Sequence, residues 1–310
     1  MTVRAETVDG DAVVAVAEDL GEEDRFALGD VERASGWRAF VRGTVAELRA
    51  AGFSFGGARL QIAGDLPRGA GLSSSAALEV ALALALLGLT DEAETADRVA
   101  LARLCSRVEN AWVGARTGLL DQLAALVGAP GQALRIDFAT LALEPVPLVL
   151  ADWHLAVLPS GATHDLAGAE GYNARRAECE RAAAALGVRW LSRADPAAAG
   201  RLPPPLDRRA GHVLAENGRV EAAVAALRKG DLAALGPLLD ASHASLRDCY
   251  DASVPAVEAA RERLLAAGAA GARMMGGGFG GAVLGLFPPG AQPPADALAV
   301  EPGPPARLGA

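Results

Sequence analysis

The segment 64–77 reads Gly-Asp-Leu-Pro-Arg-Gly-Ala-Gly-Leu-Ser-Ser-Ser-Ala-Ala and leads directly into a long apolar run. Because Gly69 and Gly71 lack a Cβ atom, this loop can fold tightly against a ligand. The serines 73–75 can cap a helix that starts near Ala76, and the free N–H groups and positive dipole end of that helix would point at a bound anion. The pattern therefore predicts a phosphate-binding loop, although a lone cluster of this kind is more often an ordinary strand-to-helix turn with a serine cap.

Of two other kinds of phosphate loop, the sequence excludes one and gives only weak support to the second. A Walker-type loop requires Gly-Lys-Ser/Thr, and the only lysine is Lys229, in Arg-Lys-Gly-Asp. The glycine-rich segment 276–281 precedes an apolar, strand-like run and not a βαβ unit, so it is a weak match to a dinucleotide-binding fingerprint. A phosphate site in this chain must therefore use serines and glycines.

The composition limits the class of protein. With 310 residues, 51% of them hydrophobic, the chain is long enough for two domains with a good core. A formal charge of −9 without a clustered basic run argues against a nucleic acid or an anionic membrane as partner, and a nucleotide would bring its own magnesium. The widely spaced Cys105, Cys179 and Cys249 fit a reducing cytoplasm, with neither a disulfide framework nor a zinc site. The start lacks an apolar signal core, and the most hydrophobic run, 76–89, is interrupted by Glu79, so we expect a soluble protein.

Hydrophobic periodicity predicts two α+β halves that meet near 145–152, where Glu144-Pro-Val-Pro147 interrupts the pattern. We expect a first domain over 1–150, a second over 151–290, and a poorly ordered tail rich in Pro, Gly and Ala over 291–310. The predicted strands cover 2–17, 58–63, 133–138, 153–158 and 282–287. The predicted helices cover 36–51, 76–87, 95–113, 119–127, 172–186, 208–228, 231–247 and 254–267.

Two carboxylates stand out by their positions. Glu109 lies on the flank of the apolar stripe of its predicted helix, where a carboxylate requires a cation. The alternative is a surface acid paired with Arg107 or Arg116. Asp121 lies in the first turn of the next predicted helix, where the helix dipole favours a carboxylate; the alternative is an ordinary helix-start acid.

A zinc site and serine-hydrolase chemistry have little support in the sequence. The Gly-x-Ser-x-Gly elbow of serine hydrolases does not occur. The segment 172–179, Tyr-Asn-x-Arg-Arg-x-Glu-Cys, opens a helix of mixed charge whose simplest interpretation is a solvated face with Tyr172 packed at its start. The histidines share no metal-ligand spacing, so we expect each to be a surface or core polar residue; they are His154, His164, His212 and His243.

Taken together, these segments resemble the GHMP family of small-molecule kinases and, within it, the galactokinase branch. The family's second motif, Pro-x-x-x-Gly-Leu-Ser-Ser-Ser-Ala, is present at 67–76, and its glycine-rich third motif is similar to Met-Gly-Gly-Gly-Phe-Gly-Gly-Ala at 275–282. Five segments in the same order are strong evidence, even though each would be weak alone. The three that are more specific to galactokinases are Arg-Val-Glu-Asn-x-x-Val-Gly at 107–114, Gly-Leu-Leu-Asp-Gln at 118–122, and the segment 172–179.

The resemblance implies a two-domain α+β fold, with a ribosomal protein S5 domain 2-like N-terminal half and a ferredoxin-like C-terminal half. It implies transfer of a phosphoryl group from MgATP to the anomeric hydroxyl of galactose, with ATP and Mg²⁺ as cofactors; we expect a monomer. Ser75, or Ser74, would hold magnesium together with Glu109. Asp121 would face the sugar hydroxyl, orient it and accept its proton late, and Tyr172 would hydrogen-bond the sugar. The residues that would cradle the triphosphate are Gly69, Ala70, Gly71, Leu72, Ser73, Ser74 and Ser75. The residues of the supporting loop that would pack against them are Gly276, Gly277, Gly278 and Gly280.

One departure from the family pattern concerns the first residues. Galactokinases carry a first motif of the form Gly-Arg-x-Asn-x-Ile-Gly-Glu-His-Thr-Asp-Tyr, and nothing like it occurs between Met1 and Gly36. Its arginine helps to stabilise the transferring phosphoryl group, and losing such a donor costs on the order of 10²-fold or more in rate. We therefore expect either a reading frame that continues upstream or a degenerate member whose activity is in question. Two alternatives remain. One is a non-catalytic sugar- or nucleotide-binding relative. The other is a kinase for another small alcohol such as mevalonate or homoserine, which Gly-x-x-Asp-Gln at 118–122 together with Tyr172 disfavours mildly.

Overall fold

The structure, a computed structural model, describes residues 1–66, 71–90, 92, 96–162 and 166–309, with the backbone alone for 166–170. The chain divides into two compact units, each of which contains a four-stranded sheet. Unit 1 comprises Met1–Pro67, Ser73–Ala129 and Pro304–Ala310, and unit 2 comprises Arg68–Leu72 and Pro130–Gly303.

The described residues form the following elements. The strands are β1 (Thr2–Thr7), β2 (Ala12–Ala17), β3 (Glu22–Ala27), β4 (Ala58–Ala63), β5 (Gln132–Asp137), β6 (Ala142–Pro147), β7 (His154–Pro159), β8 (Gly271–Met274), β9 (Ala282–Phe287) and β10 (Leu298–Val300). The α-helices are α1 (Trp37–Ala50), α2 (Ser74–Leu87), α3 (Arg98–Arg107), α4 (Leu120–Val127), α5 (Leu166–Ala185), α6 (Pro196–Ala199), α7 (Leu206–Arg228), α8 (Leu235–Asp248) and α9 (Pro255–Ala266). A π-helical turn follows α3 at Val108–Val113, and a 3₁₀ turn lies at Leu191–Arg193.

The sheet of unit 1 has the strand order β1-β4-β2-β3, with β2 and β4 parallel and the outer pairs antiparallel. Helix α2 packs against β1, α1, α3 and α4. Most of its residues are buried because its sequence is apolar on nearly every side. The predicted central helix is therefore confirmed, and it begins at Ser74, two residues before the predicted start.

Sequence periodicity does not find strand β3, Glu-Glu-Asp-Arg-Phe-Ala, because most of its residues are charged. Only Asp24 and Phe26 are buried in it. Asp24 accepts two hydrogen bonds from Arg42 of α1, from Nε at 2.9 Å and from Nη2 at 2.8 Å. A bidentate ion pair thus occupies a position that an apolar residue usually fills, which allows a charged segment to form a strand.

The helix predicted over 95–113 is divided into two kinds of helix. The Asp97 carboxylate caps α3 by accepting hydrogen bonds from the N–H groups of Val99 and Ala100. After Arg107 the chain winds into the π-helical turn Val108–Val113, which ends at Gly114 with a φ of 91°. Such turns rotate the residues that follow relative to an α-helical register and are frequent at functional sites.

The sheet of unit 2 has the strand order β10-β7-β9-β8 and is antiparallel throughout. Its core is formed by apolar residues of these strands and of α8 and α9, including Leu158, Leu264 and Phe287. His243 of α8 is fully buried there, as a core polar residue. Its Nδ1 accepts a hydrogen bond from the Met274 N–H at 3.1 Å, and its Nε2 lies 2.9 Å from Glu258 Oε1, which joins α8 to β8 and α9.

Two segments differ from the sequence-based prediction. Strand β6 runs through 144–147, where a domain boundary is predicted, and pairs with β5 as a hairpin within unit 2. The tail is predicted to be poorly ordered, and for 298–300 this is wrong: β10 pairs with β7, and further on the Ala306 N–H donates to Ala125 O at 2.7 Å. Pairing of this kind uses backbone groups alone, so composition does not reveal it.

Within the described part of the chain, none of the helices is both long enough and apolar enough to cross a membrane.

The contact of α1 with the π-helical turn gives the first prediction. A Cβ atom on Gly43 would lie 2.8 Å from both Trp112 Cγ and Val108 Cγ1. We expect Gly43→Ala to lower the free energy of unfolding by about 1–3 kcal/mol through overpacking, offset by at most the ~1 kcal/mol that alanine gains in helix propensity. Urea unfolding measures the change. Gly29→Ala is the control, because a Cβ there meets no atom within 4 Å; equal stability of the two variants would contradict the packing described.

Candidate active site

The serine-rich loop leads into α2. Its earlier residues lie outside the described part of the chain; they are Pro67, Arg68, Gly69 and Ala70. The roles predicted for Gly69 and Ala70 therefore stay predictions. Ser73 precedes the helix with a φ of 52° and a ψ of 38°, and its side chain makes no capping hydrogen bond. The predicted serine cap is therefore wrong. A capping residue needs an extended backbone to turn its oxygen towards the first turn, and left-handed Ser73 does not supply one. The N–H groups of the first helical turn thus stay available to a bound anion.

The two glycine-rich segments of unit 2 are in close contact. A Cβ atom on Gly71, whose φ is +71°, would lie 2.7 Å from Gly281 Cα and 2.9 Å from Ala282 N. Side chains other than hydrogen therefore do not fit where these loops meet. The approach of the two loops expected from the sequence is present, and their role in phosphate binding stays a prediction.

The loop 276–281 is held by hydrogen bonds along its backbone. The Phe279 N–H donates to Ala252 O at 2.7 Å, the Gly281 N–H donates to Ala162 O at 3.0 Å, and Ser160 Oγ donates to Gly281 O at 2.7 Å. Because a Cβ on Gly278 would lie 2.5 Å from Ala252 O, this packing also depends on glycine. The loop is therefore fixed by its neighbours, with little dependence on side chains of its own.

Helix α5 supports the same loop through the motif at 172–179. The Tyr172 ring packs on Gly277, where a Cβ would lie 2.6 Å from Tyr172 Cδ2. The Arg175 guanidinium lies 5.9 Å from the centre of the Phe279 ring and donates from Nη2 to Asp251 Oδ2 at 2.7 Å. Arg175 and Glu178 are only 16% and 15% exposed. The interpretation of this segment as a solvated face is therefore wrong for these two residues.

Glu178 belongs to a buried ion cluster behind Arg175. Arg209, 3% exposed, donates from Nε to Glu178 Oε2 at 2.6 Å and from Nη1 to Cys249 O at 2.5 Å. These paired arginines hold the pKa of the Glu178 carboxyl below its ordinary value, against the effect of its burial. Helix α5 is thus joined to α7 at the point where it carries the motif.

Glu109 lies in the π-helical turn and is half-buried. Its Oε2 accepts hydrogen bonds from Thr117 Oγ1 at 2.5 Å and from Gln122 Nε2 at 3.1 Å. Burial raises the pKa of its carboxyl group, although both hydrogen bonds oppose the shift. Arg107, one of the two partners considered from the sequence, instead donates from Nε to Glu47 Oε2 at 2.7 Å, so pairing with Arg107 is wrong.

Glu79 is the acid that interrupts the apolar helix α2, and its side chain is fully buried. Gln122 Nε2 donates to its Oε2 at 3.1 Å, while Oε1 has no hydrogen-bond partner among the described residues. Burial raises the pKa of Glu79 to about 9, with the nearby charges of Glu109 and Asp121 acting in the same direction and the Gln122 bond opposing them. Glu79 is therefore a neutral carboxylic acid near pH 7.

Asp121 is exposed and lies in the first turn of α4, as the sequence predicts. Its neighbour Gln122 is 1% exposed and turns inward. Successive residues of one helix turn thus place one carboxylate towards solvent and one amide towards the buried acids. The negative charge of Asp121 contributes to the raised pKa of both Glu79 and Glu109, so Asp121 lies within electrostatic range of both carboxyl groups.

The donor set at Glu109 suits magnesium. No described residue donates a hydrogen bond to Glu109 Oε1, and the neighbouring side-chain partners are neutral oxygen and amide groups. Among the described residues, no group of three or more acidic, histidine or cysteine side chains forms a complete metal site. Mg²⁺ that accompanies a nucleotide needs only one or two carboxylates, since phosphate oxygens and water supply the other ligands.

Comparison with known proteins identifies the family. The family pattern described as GHMP kinases N terminal domain matches residues 39–129, and the pattern described as GHMP kinases C terminal matches residues 223–302. The chain belongs to the GHMP kinase family.

Within the family, the similar sequences are galactokinases. The galactokinase of Mycobacterium bovis is 43% identical over 294 residues, which cover 93% of this chain and 77% of that protein. The galactokinase of Roseiflexus sp. is 42% identical over 294 residues, covering 89% of this chain and 73% of that protein.

Solved structures agree with the sequence comparison. Lactococcus lactis galactokinase complexed with galactose superposes with a TM-score of 0.83 at 32% identity, covering 91% of this chain and 76% of that chain. Methanococcus jannaschii mevalonate kinase, with a TM-score of 0.60 at 13% identity over 92% of this chain and 80% of that chain, shares the fold.

Sequence reasoning missed Glu79 as a site residue and named Gln122 only as part of a motif. A usable signal was present: one acid stands in a helix that is otherwise apolar all round. A carboxyl group in such a helix is buried and therefore requires a hydrogen-bonding partner. The partner itself could not be identified, because it lies 43 residues further along the chain.

The raised pKa of Glu79 predicts how stability depends on pH. Between about pH 4.5 and 9 the unfolded chain releases this proton while the folded chain keeps it. The folded state then binds more protons, so this group lowers the free energy of unfolding as pH rises, by at most about 1.4 kcal/mol per pH unit. Glutamine at position 79 cannot ionise, so the Glu79→Gln variant should not show this decrease in the free energy of unfolding. The amount by which its free energy of unfolding exceeds that of the wild type should therefore grow from pH 5 to pH 9.

Urea unfolding at several pH values measures the difference in the free energy of unfolding between Glu79→Gln and the wild type. Glu23→Gln is the control, because Glu23 is an exposed carboxylate of the same unit. A difference between Glu79→Gln and the wild type that stays constant over this range would show that Glu79 ionises normally in the folded protein.

Proposed function

We propose that this chain transfers the γ-phosphoryl group of MgATP to the anomeric hydroxyl of galactose. The observation that carries the proposal is the half-buried carboxylate of Glu109, fixed through one oxygen by Thr117 and Gln122 while no described residue donates to the other. It lies in the same unit as an uncapped helix N-terminus. A carboxylate for a cation and N–H groups for an anion are the two requirements for binding a metal–triphosphate.

Backbone groups replace the lysine that other phosphate loops use. The N–H groups at the start of α2 and the positive end of its dipole would bind the triphosphate, with residues 69–75 around it. The glycine loop 276–281 would hold Gly71 in place from behind, since the two loops touch without intervening side chains. Each N–H group contributes a directed bond, and none carries a charge that requires its own desolvation.

Magnesium would be held by Glu109 and by the hydroxyl group of Ser75 or Ser74. When bound, it neutralises charge on the phosphate oxygens and aligns them for transfer. Thr117 and Gln122 keep the Glu109 carboxylate in one orientation, so little conformational entropy is lost when the cation arrives.

Asp121 would act on the sugar hydroxyl. The hydroxyl oxygen forms a bond to the γ-phosphorus, the bond from this phosphorus to the bridging oxygen breaks, and ADP leaves with the bridging oxygen. The hydroxyl proton passes to the Asp121 carboxylate. Since the transition state of phosphoryl transfer is loose, Asp121 needs mainly to orient the hydroxyl and to accept the proton late.

The choice of galactose rests on the relatives. The matches to the galactokinases described above cover most of this chain, and the Lactococcus lactis enzyme was solved in complex with galactose. Tyr172 would hydrogen-bond the sugar, with its ring seated on Gly277 of the glycine loop. We further propose that the protein is a monomer in the cytoplasm; the free thiols of its three cysteines support the reducing compartment.

The contact between the two glycine-rich loops predicts that a side chain at Gly71 weakens ATP binding. We expect Gly71→Ala to weaken ATP binding by between about 10- and 100-fold, because the new methyl group must displace the backbone at Gly281. Equilibrium binding of a fluorescent ATP analogue measures the loss. Gly161→Ala is the matched control, since Gly161 has a similar φ of +78° but open space at its Cβ position. If both variants bind equally, the loop contact has no role in nucleotide binding.

The role of Asp121 is tested by Asp121→Ala. We expect this variant to lose galactose-dependent ADP release by at least about 10²-fold, because the hydroxyl loses its orienting group and proton acceptor, while MgATP binding stays largely intact. Asp9→Ala, at an exposed turn of the same unit, is the control. Coupled assay of ADP measures turnover, and calorimetric titration measures nucleotide binding.

The outcomes for the wild type and the variant are distinct. Unchanged turnover in Asp121→Ala would overturn its assignment. Saturable MgATP binding by the wild type without any galactose-dependent ADP release would contradict phosphoryl transfer and favour a non-catalytic binding protein. ADP release with mevalonate or homoserine, and none with galactose, would contradict the substrate.

A further inference from the structure

The amide group of Gln122 connects two carboxyl groups that belong to different helices. Its Nε2 lies 3.1 Å from Glu79 Oε2 and 3.1 Å from Glu109 Oε2. Both hydrogens of the amide are therefore used, one towards each acid, and the side chain is held at two points. Since Gln122 is 1% exposed, water does not compete for these bonds.

We propose that Glu79 and Gln122 are positioning residues that fix the Glu109 carboxylate, with Oε2 turned inward and Oε1 presented to the divalent cation of a metal–nucleotide. The inference rests on the proposed function, because it requires a cation at Glu109. Glu79 accepts from Gln122, Gln122 donates to Glu109, and Thr117 donates to the same Glu109 oxygen. Neither Glu79 nor Gln122 is required to touch the cation.

A purely structural role does not explain Glu79. Its Oε1 is buried, and within the part of the chain that the structure describes it has no hydrogen-bond partner; leaving a buried polar atom unsatisfied costs about as much as a lost hydrogen bond. A leucine at this position would continue the apolar helix α2 without that penalty. The carboxyl group therefore lowers stability where it stands, and its one hydrogen bond is the contact through which it can act.

The chemistry of this contact requires an acceptor at position 79 and does not require a charge. The pKa of Glu79 is raised to about 9, so the group is neutral near pH 7 and still accepts from Gln122 through its carbonyl oxygen. An ionised Glu79 would instead add a third negative charge beside Asp121 and Glu109. A glutamine at 79 should consequently replace the glutamate, and a leucine should not.

The test measures binding of Mn²⁺, as a probe for magnesium, to the full chain saturated with a non-hydrolysable ATP analogue, by electron paramagnetic resonance. We expect Gln122→Met and Glu79→Leu to weaken Mn²⁺ binding by about 10- to 100-fold. Glu79→Gln should stay close to the wild type. Gln61→Met is the matched control, because Gln61 is exposed on β4 of the same unit. Circular dichroism identifies any variant that does not fold.

A second variant keeps the proposal testable if Gln122→Met does not fold. Thr117→Val removes the other hydrogen bond to Glu109 Oε2 and should also weaken Mn²⁺ binding, at a less buried position. Wild-type affinity in folded Glu79→Leu and Thr117→Val would overturn the proposal. Equal losses in Glu79→Gln and Glu79→Leu would show that the carboxyl group acts through its charge, which also contradicts it.

Failure of the proposed function gives a different result. The wild type itself would then bind no Mn²⁺ in the presence of the nucleotide analogue, before any variant is compared. Normal binding by the wild type, together with unchanged binding by the variants, contradicts only the positioning role.

Discussion

A carboxyl group buried in an apolar helix, that of Glu79, is connected through Gln122 to the candidate metal ligand Glu109. Helix α2 would pack more favourably with a leucine at position 79, because a buried acid must stay protonated and find a partner. Among the described residues, the side chain of Glu79 bonds to the Gln122 amide alone, and this amide is in turn bound to Glu109. The central helix of unit 1 is thereby connected to the carboxylate proposed to hold magnesium, and the helix that carries Gln122 also carries Asp121.

The proposed phosphate-binding loop depends on a different constraint, the close approach of its backbone at Gly71 to the backbone of the glycine loop at Gly281. The chain has a single lysine, at position 229 and outside the motifs, and we propose that N–H groups and hydroxyls bind the triphosphate. Such groups are effective only when the loop that carries them is held still. Contact between Gly71 and Gly281, and the hydrogen bonds that fix 279–281, meet this requirement with no side chain in the way.

The parts of the fold with strong periodicity could be predicted from the sequence. The predicted strands at 58–63 and 282–287 have the bounds of β4 and β9, and the all-apolar helix is α2. Strand β3 could not be found, because its buried Asp24 depends on an arginine of the following helix. The left-handed backbone of Ser73, which removes the expected cap, follows from how the loop is folded and not from residue type.

The candidate site was also predictable only in part. Motifs in the sequence predicted most of its individual residues, but they did not predict the hydrogen bonds between those residues. That Glu109 avoids Arg107 and binds Thr117 and Gln122 depends on the π-helical turn, which no local preference in the sequence indicates. The link to Glu79 joins residues 43 positions apart and needs the packed helices to exist.

The central claim is that this chain binds a metal–triphosphate with Glu109 as the carboxylate ligand, and calorimetric titration with ATP in the presence and absence of Mg²⁺ tests it most directly. The account predicts saturable binding that Mg²⁺ strengthens in the wild type, and loss of this Mg²⁺ dependence in Glu109→Gln with binding of free ATP retained. Absence of saturable binding, or an unchanged Mg²⁺ dependence in Glu109→Gln, would contradict it.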